Sequence, residues 1–156
     1  MDSKFVAHLE TLHPQLQRLL AMPPISPDQL PSNMPRKGIY LLSEGKLHLY
    51  VGRSNDIKSR IGRHCRAGAT HRQAAFAFRL AREATGKVKA SYKKGEGSRA
   101  ALMEDTVFLD AFNLAKARIR KMDLRFVDEA DPICQALLEI YVAVALATPY
   151  NDFDNH

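Results

Sequence analysis

The chain holds only two cysteines in 156 residues, Cys65 and Cys134, with no CxxC pair. That excludes a disulfide framework and a cysteine-rich zinc site, and predicts a reduced, cytoplasmic protein. A secretory start is also missing. The first twenty residues mix Asp2, Glu10 and other polar groups with apolar ones, where a signal peptide would set a basic start before a continuous apolar run. The longest uncharged run, Pro132 to Asn151, is broken by Glu139 and ends in Thr-Pro, short of the roughly 20 apolar residues that span a bilayer. No internal repeat is visible. Acidic residues are scarce from Gly52 to Arg99, where 13 Lys or Arg face only Asp56, Glu83 and Glu96. That segment is net +10 in a chain of net +6, which leaves −4 elsewhere. Such one-sided charge is either the footprint of a polyanion binder or a solvated helix face.

The length predicts one α/β domain, a small three-stranded mixed or antiparallel sheet flanked by helices. Phe5, Leu9, Leu12, Leu16, Leu19 and Leu20 recur at helical spacing, with Pro14 starting a second piece or kinking one helix. Five of eight prolines then fall between Pro23 and Pro35, so residues 1–35 read as a helical arm plus an extended connector and 36–156 as the domain proper. Gly38 to Ser43 and Leu47 to Arg53 read as a β-hairpin. A helix capped by Asn55 or Asp56 follows, through about Arg66, with the core stripe Ile57, Ile61, Cys65. Gln73 to Ala84 is expected to be helical with Arg79 and Arg82 exposed. Thr85 to Arg99 reads as a mobile basic loop, and Ala100 to Ala117 as one helix. Met122, Leu124 and Phe126 alternate as a third strand, and Asp131-Pro132 starts a last helix, Ile133 to Ala147.

Chemistry concentrates at three places. Tyr40 and Tyr50 share a sheet face only if the hairpin register allows it: a two-residue Glu44-Gly45 loop separates them, whereas a three-residue loop, Glu44 to Lys46, makes them cross-strand neighbours. The second register is expected. Arg60 and His64, at i and i+4, are expected to share a cleft with Arg53, beside Gly52, whose missing side chain lets a substrate backbone approach. The two arginines could hold a phosphate from two sides. Glu139 is the only charge from Pro132 to Asn151. A buried carboxylate there needs an arginine, hydrogen-bond donors or a metal, and an ion pair and a metal site both answer that need.

In order along the chain, Gly38-Ile39-Tyr40, Tyr50-Val51-Gly52, Arg60, Glu139 and Asn151 resemble the signature of the GIY-YIG nuclease family. Its members include homing endonucleases, certain restriction enzymes and the N-terminal incision domain of the bacterial excision-repair nuclease. The likeness runs from about Lys37 to Asn151; Tyr-Val-Gly is a variant of the second tripeptide, and Arg53 stands where many members have Lys or Ser. It implies a metal-dependent endonuclease cutting DNA, with RNA left open, by a one-metal mechanism. Glu139 would hold Mg²⁺ or Mn²⁺, and Tyr40 would be the first-choice base with His64 second. Tyr50 would orient water or phosphate, Arg60 and Arg53 would stabilise charge, and Gly38 and Asn151 would support the site.

The segment between Cys65 and Arg118 exceeds the family core and reads as an insertion. Lys87, Lys89, Lys93 and Lys94 within it are expected to contact nucleic acid. Two other readings stand beside the nuclease: an idle nucleic-acid-binding module that kept the fold, and an interaction protein whose leucine-bearing arm joins a partner or a second copy as a homodimer.

Overall fold

A computed structural model describes residues 1–87 and 98–154. Its elements run α1 (Ser3–Leu9), α2 (Leu12–Ala21), β1 (Gly38–Glu44), β2 (Leu47–Ser54), α3 (Ile57–Cys65), α4 (Ala75–Thr85), α5 (Arg99–Glu104), α6 (Thr106–Arg120), β3 (Asp123–Asp128) and α7 (Pro132–Leu146). The expected α/β class is what forms: helices flank a wholly antiparallel sheet of order β2-β1-β3. The chain packs as two units, residues 1–60 with 122–156, and residues 61–121. No helix among the described residues is long and apolar enough to cross a membrane.

The first unit contains the sheet. Alternation along β1 sends Ile39 and Leu41 to one face, where Val51 and Val127 join them against Leu12, Leu16 and Leu19 of α2 and Leu138 and Val142 of α7. The arm thus spends its central leucines on the same core as the hairpin. Pro14 falls in the first turn of α2, where its missing amide breaks no helical bond. Asp131 caps α7 by accepting from the Cys134 amide at 2.8 Å.

The hairpin turns through two residues, Gly45 and Lys46, where three were expected. That turn alone pairs Ser43 with His48 and would put the two tyrosines on opposite faces. A bulge beyond Ser43 then leaves Leu49 unpaired and resets the register to Leu42 with Tyr50 and Tyr40 with Gly52. Tyr40 and Tyr50 end on one face as diagonal neighbours, ring centroids 6.2 Å apart. One extra residue restores the parity that the shorter turn removes.

Both outer edges of the sheet are covered. Ile25, in the proline-rich connector, exchanges two 2.9 Å backbone bonds with Leu124 on β3. On the β2 side, Asn151 Oδ1 accepts from the Val51 amide at 2.9 Å while its Nδ2 donates to the Val51 carbonyl at 2.7 Å. The Tyr150 amide donates to Leu49. The Asn151 side chain thus pairs with the β2 edge as a neighbouring strand's backbone would. Asn151→Ala is expected to cost about 1–3 kcal/mol and to speed hydrogen exchange at Val51, measured by urea unfolding and amide exchange. Unchanged exchange at Val51 would count against this role.

The second unit corrects two expectations. Residues 100–117 are not one helix: Asp105 is extended (φ −77°, ψ 120°) and its carboxylate caps α6 by accepting from Val107 and Phe108, because an N-capping side chain competes with helix continuation. Arg82 is buried, not exposed. Its guanidinium lies 5.0 Å from the Phe78 ring centroid, and Arg99 lies 5.1 Å from the same ring. Phe78 also packs on Phe108 and Phe112, which closes this unit's own apolar core.

Candidate active site

A cleft of about 420 Å³ in the first unit is lined by Tyr40, Tyr50, Arg53, Ser54, Asn55, Arg60, Gln135 and Glu139. Five of these are site residues expected from the sequence. Strand β1 supplies Tyr40, β2 supplies Tyr50, Arg53 and Ser54, α3 supplies Arg60, and α7 supplies Gln135 and Glu139. Arg53 lies on the opposite sheet face from Tyr50 by strand alternation, and the edge position of β2 lets both reach one cleft.

Tyr40 is wholly buried and hydrogen-bonded to Tyr50. Burial pushes its phenol well above the ordinary tyrosine range; Tyr50 and Glu139 add to the rise, and Arg60 opposes it. Tyr50 is also raised, by burial and by Glu139, while the bond from Tyr40 and the charge of Arg60 lower it. Both phenols are neutral near pH 7, so neither stands ready as an ionised base.

Glu139 Oε2 takes a 3.2 Å ion pair from Arg53 Nε; the glutamate side chain is 22% exposed and the arginine 48%. Burial nevertheless raises the carboxyl above its ordinary range, against the lowering influence of Arg53 and Arg60. The charge is thus incompletely compensated. The cleft it faces is lined by hydroxyl and amide groups and by the guanidinium groups of Arg53 and Arg60; a single carboxylate in such a setting fits a hard cation that keeps most of its water, with the guanidinium groups left for an anion.

Other expected site residues fall elsewhere. His64 does not line the cleft with Arg60: it is buried in the second unit, edge-on to Phe76 at 6.3 Å, because the last turn of α3 belongs to that unit's packing. Gly52 is spent on the protein itself. A Cβ there would lie 2.3 Å from the Tyr40 hydroxyl and 2.4 Å from Cζ, so its missing side chain makes room for the phenol and not for a substrate backbone. Gly38 is similarly pressed against the Val127 carbonyl, 2.0 Å from an added Cβ. Lys87 pairs with Asp105 at 3.0 Å. Lys89, Lys93, Lys94 and most of the expected basic loop lie outside the described residues.

Ser54, Asn55 and Gln135 were not anticipated in the cleft. Gln135 Nε2 donates to Asn55 Oδ1 at 3.3 Å and to the Glu129 carbonyl at 2.7 Å, so an amide pair closes one wall. The spacing of Gln135 one turn before Glu139 was a legible signal. With this geometry in place, comparison with protein-family models, curated proteins and solved structures finds no match.

Proposed function

We propose that the chain is a metal-dependent endonuclease of the GIY-YIG kind, hydrolysing phosphodiester bonds in DNA. The observation that carries this reading is the meeting of Tyr40, Tyr50, Arg53, Arg60 and Glu139 in one cleft. Arg60 and Arg53 present guanidinium donors to a phosphate, and the preorganised charge favours the pentavalent transition state. Glu139 is the residue to hold Mg²⁺ or Mn²⁺, which would supply Lewis-acid stabilisation of the phosphoryl charge and the leaving oxygen. The phenol pair holds and orients the attacking water. Because the charge of Glu139 helps keep both phenols neutral, neutralising it makes proton removal through them easier.

Supercoiled plasmid incubated with Mg²⁺ or Mn²⁺ is expected to become nicked and linear, with EDTA stopping the reaction. Tyr40→Phe is expected to lower the rate by about 10² or more while DNA affinity is retained, and to remove an alkaline rise in the rate–pH profile. Full activity in that variant would take Tyr40 out of the chemistry. Retained binding with no cutting of plasmid or branched DNA would favour the idle module.

A further inference from the structure

A second cluster of ligating side chains lies at the start of α7. His8 Nδ1 is 3.2 Å from Cys134 Sγ, and ligand atoms of His8, Asp131 and Cys134 all lie within 4.8 Å of one another. Bonds of about 2.0–2.3 Å to a tetrahedral zinc ion separate its ligands by about 3.5 Å, so these side chains need little movement to close on one ion. Cys134 is buried, His8 half-buried and Asp131 exposed, which leaves a route in. One Asp131 oxygen is engaged by the Cys134 amide, and the carboxylate has a second.

We propose that His8, Asp131 and Cys134 form a zinc site with one open coordination position, clipping α1 to the first turn of α7. Thiolate and imidazole select a borderline-soft ion such as Zn²⁺ over Mg²⁺. The neighbouring Glu129 carboxylate, which accepts from the Asp131 amide at 3.0 Å, adds negative charge that a divalent cation relieves. The site shares no side chain with the Glu139 cleft and does not depend on the nuclease reading.

The test uses tag-free full-length protein, stripped with a chelator, dialysed and titrated with Zn²⁺ and with Co²⁺ as a spectroscopic probe. Expected are one tightly held ion per chain, retained in Glu139→Gln, with tetrahedral visible absorption and a thiolate-to-cobalt charge-transfer band. Asp131→Asn, which keeps the helix cap, is expected to weaken zinc binding by at least about tenfold, and Cys134→Ser to weaken it further and abolish the charge-transfer band. Glu139→Gln should leave both unchanged. Circular dichroism of each metal-free variant checks the fold. Wild-type affinity in Cys134→Ser, or cobalt binding without the thiolate band, would overturn the proposal.

Discussion

Glu139→Gln is expected to lower metal-dependent cleavage by about two to three orders of magnitude and also to make the chain harder to unfold at pH 7. The folded state raises the Glu139 carboxyl above its ordinary range, so it binds that proton more tightly than the unfolded chain does. Stability from such a group is fully present below the ordinary carboxylate pKa of about 4.3 and is lost as pH rises through the folded value. At pH 7 the ionised side chain therefore costs stability, and the neutral amide of the same shape removes that cost. Arg53, about half exposed, can turn to water. Urea midpoints should be higher for the variant at pH 7 and converge with wild type near pH 4, while cleavage falls by about 10²–10³. An ion pair kept for structure gives the opposite sign at pH 7. The measurement thus separates the two uses of a lone carboxylate that sequence alone leaves open.

Gly52→Ala should destabilise the protein by about 3 kcal/mol and disturb the phenol pair, since overpacking a filled site forces side chains off their rotamers. The added methyl meets a ring that is wholly buried and tied to Tyr50, so it cannot swing into solvent. Tyr40→Leu on its own leaves a cavity. Combined with Gly52→Ala, it should cost less than the sum of the two single changes. A double-mutant cycle in urea reads this coupling directly, and strict additivity would show that the ring and the glycine do not share space.

The sequence made the sheet legible because period-two alternation and turn residues are local signals. Helix α7 was legible from its Asp131-Pro132 start. The bulge at Leu49 was not, because nothing local distinguishes it from a residue in regular pairing. The break at Asp105 was hidden by apolar spacing that continues through it. At the cleft, residue type and order picked out the tyrosines, arginines and Glu139, whereas His64 was misplaced because helical spacing fixes a direction but not which neighbour fills it. Gly52 shows the same limit: a glycine reports close approach without saying by what. His8, Asp131 and Cys134 belong to segments more than 100 residues apart, so no motif could join them.

The site's residues are not made together. Tyr40 through Arg60 leave the ribosome in one stretch, and the 61–121 unit is translated before Glu139 and Asn151 appear, roughly 80–90 residues after Arg60. At about 5–20 residues per second, that gap lasts about 4 to 18 seconds. Throughout it the nascent hairpin has its phenols and arginines but lacks the carboxylate and its edge clamp. Whatever chemistry the cleft performs is therefore withheld until α7 and Asn151 have been made, a delay imposed by chain order alone.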